Sequence, residues 1–266
     1  MYALSMQQKI LDPVNPMVIS SLLSFAELFS FMMSKSVDTV KFVDLFAVFQ
    51  SALCELQNSL FHAKIKWDEQ VANNFHRTLI IVLHFIGLLC RLQPFMTQQE
   101  DFELKRAVYR LVRLNVRGKS NRTPLHLACY RDTTCHSVRF PLCDFPVADI
   151  VRMFLECGAS VHDVDDDGNT ALHVAAKYKP PSIEIMTMLL DHSAHIDAKN
   201  NKHETPLRLF QLNPMRAAAE QASPPPQSLY PMRYLSLKCL AAQAVVRHGI
   251  AFDGLGHCLE SMIKLH

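Results

Sequence analysis

"DDDGNTALHVAAKY", Asp165–Tyr178, decides the fold, because the chain carries the same pattern three times. Upstream stands "NRTPLHLACY", Asn121–Tyr130, and downstream "NKHETPLRLF", Asn201–Phe210. Aligned, the blocks put Thr123, Thr170 and Thr205 at one position. A threonine just before a short apolar run is a helix N-cap, whose hydroxyl accepts from a backbone N–H with no helical partner. Pro124 and Pro206 follow at the first helical position, where a missing N–H costs nothing. Leu125, Leu172 and Leu207 come next and are expected in the core between repeats. Gly158 and Gly168 supply turn conformations that other residues resist.

A second apolar helix follows two of the blocks, in "IVRMFLECGASVHDVDDDG" and "IMTMLLDHSAHIDAKNNKH". A tight turn, a short T-P-L-H helix, a second helix and then G-A-x-(V/I) resembles the ankyrin repeat. That resemblance implies that His126 and His173 tie adjacent loops by hydrogen bonds. Thr170 and Thr205 are 35 residues apart, close to the ~33 of an ankyrin repeat. Thr123 and Thr170 are 47 apart, which places an insertion near 131–146, between the helices of the first repeat. Cys135, His136 and Cys143 lie there, but their spacing matches no zinc-ligand pattern, so an exposed loop is expected. Asp163, Asp165, Asp166 and Asp167 lack the spaced loop and closing glutamate of a calcium site and read as a solvated finger. The third repeat stops at Asn213-Pro214, before "MRAAAEQASPPPQ", a proline-rich linker.

The residues before the repeats read as helices. Met17 to Ser34 carries Ile19, Leu22, Leu23, Ala26, Phe29 and Met33 at helical spacing. Asp38 is the expected cap of a second helix with the stripe Phe42, Leu45, Phe46, Phe49, Leu53, Leu56 and Leu60. Asp68 is the expected cap of a third, which Pro94 stops. Thr97 and Glu100 form a capping box for a fourth, through Leu114. Short connections favour antiparallel hairpins, as in a TPR-like array or a plain bundle. The longest apolar run, "TLIIVLHFIGLLC" from Thr78 to Cys90, is too short to span a bilayer and is expected to be a buried helix.

The bulk numbers agree with an all-α protein. Hydrophobic content of 49% with only 7 glycines among 266 residues fits a helix-rich chain with a real core. A net charge of +2 gives no global field for nucleic acid or membrane, and neither is an expected partner. The 8 cysteines are scattered without a CxxC pair, as buried thiols of a reducing compartment are. With no secretory leader in "MYALSMQQKILDP", the expected location is cytoplasmic or nuclear. No phosphate loop, nucleophile elbow or zinc-protease helix is present, so no catalytic residues, metal or cofactor are expected.

The C-terminal helix, Leu235–Val246, carries two apolar stripes. Leu237, Leu240, Ala241, Ala244 and Val245 lie on one side. Leu235, Cys239, Ala242 and Val246 lie opposite and are expected to cap the open end of the repeats, which leaves the first stripe for a partner. "SLKCLAAQAV" resembles a BC box, the helix by which substrate receptors bind elongin C. Ser236 and Leu237 match its start, and Leu240 and Val245 its later apolar positions. Ala241 stands where many such helices have cysteine.

The order of segments resembles the Fem (feminization) family, in its C-terminal part. A helical-hairpin region (1–116) precedes degenerate ankyrin repeats (117–213), a proline-rich linker (214–231) and BC-box and cullin-box-like helices (232–266). "LLSFAELFSFMM" and "SLKCLAAQAV" look particularly close. The resemblance implies a non-catalytic substrate receptor of a cullin-RING ubiquitin ligase, held through elongin B–elongin C by Ser236, Leu237, Leu240, Ala241 and Val245. It also implies an N-terminal ankyrin array that reads C-terminal degrons, to which no positions here correspond. The cullin-facing segment reads "IAFDGLGHCLESMIKLH". Gly256-His257 stands where the resemblance implies proline, while Leu259, Met262 and Ile263 keep the apolar face expected to meet a cullin. The alternative is an ankyrin and helical-repeat scaffold outside ubiquitination, acting through finger tips near His162–Gly168 and Lys199–His203.

Overall fold

The computed structural model describes residues 16–63, 69–133 and 142–215, together with 241, 244–246, 248 and 249. The regular elements among them are helices and short 3-10 turns, with no strand among the described residues. The fold is an all-α repeat array. It divides into two compact units between Ala159 and Ser160.

In the first unit, α1 (Pro16–Lys35), α2 (Phe42–Ala63), α3 (Glu69–Leu92) and α4 (Gln98–Arg113) precede the short α5 (Pro124–Ala128) and α6 (Ala148–Glu156). α3 is the hub, packing against α1, α2, α5 and α6. From Thr78 to Cys90 every residue but Ile80 is buried, which explains an apolar run with almost no polar face. Two helical stretches, Met17–Lys35 and Glu69–Phe95, have the length and hydropathy to cross a membrane. In the second, 72% of the apolar window is buried, so packing against its neighbours uses that apolarity; in the first, 33% is.

α2 presents Leu45, Phe49 and Leu56 to the core with no exposure. Phe42, Phe46, Leu53 and Leu60 of the same stripe are only half-buried. Asp38 does not cap α2: it lies inside a 3-10 turn, Val37–Thr39, and α2 begins at Phe42. The turn holds through Thr39, whose hydroxyl donates to the Ser36 carbonyl at 2.6 Å. The expected cap of α3, Asp68, lies outside the described residues.

α2 also buries a carboxyl. Glu55 is 3% exposed, and burial pushes its pKa up to about 7. On α3, His84 is fully buried with its ring edge-on to Phe145, and burial holds its pKa down to about 4.

α4 starts as the sequence predicts. The Glu100 amide donates to Thr97 Oγ1 at 3.3 Å, and the Thr97 amide donates to Glu100 Oε2 at 2.8 Å, so two orphan donors are satisfied reciprocally. Thr97→Ala is expected to lower the stability of this unit by about 1 kcal/mol, read from urea melts. An equal loss in a Glu100→Ala, Thr97→Ala double variant and in the single variant would show the coupling.

The second unit contains α7 (Ala171–Lys177), α8 (Ile183–Asp191) and α9 (Pro206–Gln211). α7 packs against both α8 and α9. Leu172 is fully buried, as Leu125 nearly is on α5 in the first unit. Leu207, expected to be their equivalent, is half-buried. α9 instead buries Pro206 and Phe210. Past α9, Asn213 ends the repeat: its amide donates to the carbonyls of Ala176 at 3.0 Å and Tyr178 at 2.6 Å.

Candidate functional site

The three threonines cap as expected, and the details show what each repeat needs. The His126 amide donates to Thr123 Oγ1 at 3.3 Å, and the Thr123 amide donates back to His126 Nδ1. In the next block the Thr170 amide donates to His173 Nδ1 at 3.1 Å. That bond leaves Nδ1 an acceptor and puts the proton on Nε2, which lies 3.1 Å from the Glu204 carbonyl. His173 thus joins its own helix start to the following finger. Thr205 accepts from the Arg208 amide at 3.2 Å, but a guanidinium has no lone pair to return the bond, so this box is half-formed.

The finger tips repeat one another just as closely. Asp165 is buried, and its carboxylate accepts from the amides of Asp167 at 3.0 Å and Asn169 at 2.8 Å. Asn200, 35 residues on, does the same for Lys202 at 3.0 Å and Glu204 at 2.9 Å. One of the four aspartates is therefore a turn-former, while Asp166 and Asp167 face solvent. The two fingers are stitched together. The Asn201 amide donates to the Asp167 carbonyl at 3.0 Å, its side chain to the Asp166 carbonyl at 3.0 Å, and Asn200 Nδ2 to Asn169 Oδ1 at 2.9 Å.

Each finger turns through a left-handed residue, with φ of 57° at Asn121, 75° at Gly168 and 57° at His203. Only at Gly168 is there also no room: a Cβ would lie 2.5 Å from Asn201 Oδ1 and 2.9 Å from its backbone nitrogen. Gly168→Ala is expected to destabilise the second unit by about 1–3 kcal/mol, while His203→Gly is neutral or stabilising. Thermal melts check this: Gly168→Ala should melt below the parent and His203→Gly no lower than the parent.

The expected elongin-facing helix is described only near its end. Ala241 and Ala244–Val246 are helical. The His248 amide donates to the Ala244 carbonyl at 3.0 Å, and Gly249, with φ of 60°, ends the helix as a left-handed terminator. Ala241 and Ala244 are exposed and Val245 is half-buried. Val246, assigned to the capping stripe, is 45% exposed, so this residue is not shielded as that assignment expects. Ser236, Leu237 and Leu240 lie outside the described residues, as do Leu259, Met262 and Ile263 of the cullin-facing segment. Cys135 and His136 of the insertion also lie outside. Cys143 donates its thiol to the His84 carbonyl at 3.8 Å. No group of three or more histidine, cysteine or acidic side chains that could hold a metal occurs among the described residues.

The ankyrin-repeat family, described as ankyrin repeats in three copies, matches residues 143–209. Over its whole length the chain is 37% identical to "Protein fem-1 homolog C" of Mus musculus and of Homo sapiens, across 271 residues. It is 38% identical to "Protein fem-1 homolog A" of Danio rerio, across 272 residues. The chain matches the Fem family. It spans about 41% of the length of these relatives. The ankyrin match begins beyond the first threonine block, yet Thr123 caps α5 with the same reciprocal bonds, so the threonine-capped pattern extends upstream of the matched residues.

Proposed function

We propose that this chain is a non-catalytic substrate-recognition subunit of an elongin-containing cullin-RING ubiquitin ligase, docked to elongin B–elongin C through Ser236, Leu237, Leu240, Ala241 and Val245. The observation that carries the reading is a Fem-family match over the whole chain, combined with a BC-box pattern in "SLKCLAAQAV". Ankyrin repeats support a protein-interaction role. Solvent exposure of Ala241 and Ala244 supports a helix with a face to spare. Leu259, Met262 and Ile263 provide a weaker apolar face for a cullin.

The burial of four described thiols supports a non-catalytic role. Burial pushes Cys90, Cys129 and Cys143 up to about 12 and Cys157 up to about 11, so none is a thiolate nucleophile near neutrality. Free thiols at Cys54, Cys90, Cys129, Cys143 and Cys157 fit a reducing location, the cytoplasm or nucleus.

Co-expression with elongin B–elongin C and co-purification through size exclusion tests the proposal. A stoichiometric ternary complex is expected. A folded chain that elutes apart from elongin would overturn it and favour a scaffold outside ubiquitination.

A further inference from the structure

α4 keeps a face that the first unit does not use. Phe102, Arg106, Tyr109 and Arg113 recur on it at helical spacing, and all four are exposed. Phe102 is 58% and Tyr109 52% exposed, large values for aromatic rings on a packed helix. Charge around them is lopsided. From Leu104 to Arg122 the chain carries seven lysines and arginines and no acidic residue.

Some of this charge is answered internally. Lys105 reaches Asp101 at 3.0 Å and Glu156 at 3.3 Å, and Arg106 reaches Glu103 at 3.7 Å. Arg110 and Arg113 are exposed and stand in none of the ion pairs among the described residues, which involve Lys105, Arg106 and Arg152. Lys119 extends the patch toward α3, where its backbone amide donates to His76 Nδ1 at 3.2 Å. Burial and then the charges of Lys119 and Arg122 hold His76 below its usual pKa, a local sign of the same positive field.

Arginines in a last helical turn also offset the helix dipole. That accounts for Arg110 and Arg113, but not for Lys119 or for two exposed aromatic rings, of which Tyr109 stands between Arg106 and Arg113. We propose that this face docks a short acidic segment of a partner protein, its carboxylates on Arg106, Arg110 and Arg113 and an apolar side chain against Phe102 and Tyr109. Guanidinium forks suit carboxylates, and exposed aromatics suit an apolar anchor. A nucleic acid fits less well. Glu100, Asp101 and Glu103 close the patch at its Phe102 end, so the anionic groups of a ligand are confined to the Arg106–Arg113 end, which suits a short segment better than a continuous phosphate chain. Phosphates offer no apolar group for Phe102 and Tyr109, whereas a peptide carries carboxylates and an apolar side chain on one short segment. This inference is independent of elongin docking, which rests on residues of the C-terminal helix.

The test is fluorescence anisotropy with the full chain and three labelled probes: a decapeptide of Glu and Asp with one central Leu, the same peptide with Gln and Asn, and a ten-nucleotide thymidine strand. Saturable binding of the acidic peptide alone is expected. Arg110→Gln with Arg113→Gln should weaken it at least tenfold, and Tyr109→Ala about threefold or more; the circular-dichroism melt should be unchanged for Tyr109→Ala and only slightly lower for the double variant, which loses two charges that offset the helix dipole. No saturable binding, equal affinity for the neutral peptide, equal or tighter binding of the oligonucleotide, or variants that bind as the parent does would each overturn the proposal.

Discussion

Leu237→Ser is expected to weaken binding to elongin B–elongin C by about 30- to 1000-fold while leaving the melting transition in place. An anchor leucine entering a partner's pocket contributes roughly 2–4 kcal/mol, and serine supplies neither its area nor its shape. The effect belongs to the dissociation rate, because a truncated anchor leaves encounter largely unchanged. Biolayer interferometry with immobilised elongin B–elongin C measures it, alongside a thermal melt of each variant. Wild-type affinity in the variant would remove Leu237 from the interface. A collapsed melt would assign the side chain to the fold instead. Leu237→Ala, milder in both respects, should fall between the two proteins in affinity.

Glu55→Gln is expected to stabilise the first unit at pH 7.5 by about 1–3 kcal/mol and to expose a pH dependence that the parent partly hides. Glu55 is buried, with a folded pKa of about 7 against 4.5 for an ordinary glutamate. Between those values the folded state keeps a proton that the unfolded chain has released. Its contribution is therefore full below about pH 4.5 and is lost as pH rises toward 7. His84 works in the other direction. Its folded pKa of about 4 lies below the usual 6.5, so the unfolded chain binds the extra proton and stability falls as pH drops through that window. His76, also held below its usual value, adds the same sign as His84. Across roughly pH 4.5–6.5 the carboxyl offsets part of the imidazoles' effect, so the parent should lose less stability on acidification than the variant. Once glutamine replaces Glu55 the histidines act alone, and stability should fall steeply on acidification. Urea melts at pH 4.5, 6.0 and 7.5 on both proteins decide it; parallel profiles would mean that Glu55 does not hold a proton in the fold.

The parts of the fold that the sequence made legible are those where a local rule has no competitor. Thr97 with Glu100, and Thr123 and Thr170 with histidine three residues on, satisfy backbone donors within one turn, and all three boxes form. The apolar run of α3 needed burial on nearly every side and finds it among four helices. Asp38 was a cap by residue type alone, and a preceding 3-10 turn absorbs it. Leu207 shares its motif with Leu125 and Leu172, but a motif does not specify what packs against it. The buried Glu55 gave no signal, since its burial depends on which side of α2 meets α3. The candidate elongin helix was legible as a motif; its described end shows that Val246 is not shielded as its stripe required. The α4 face could have been noticed from seven basic residues without an acid between Leu104 and Arg122, but only the fold shows that Phe102 and Tyr109 share its exposed side.

The stitching of the two fingers by Asn200 and Asn201 bears on how the second unit meets a protease. Lys199 and Lys202 sit at an exposed tip, and by sequence both are tryptic sites. A protease must straighten several residues on either side of the bond it cuts. Here the amides of Asn201, Lys202, His203 and Glu204 are all engaged, one of them across to the neighbouring finger. Opening the tip for cleavage would also release the Asp166 and Asp167 carbonyls opposite, so the two loops should resist digestion together and be lost together. Limited trypsinolysis of the native chain should leave the Lys199–Lys202 bonds uncut, and in Gly168→Ala, where the clasp is pried open from the other side, the same bonds should become early cleavage sites.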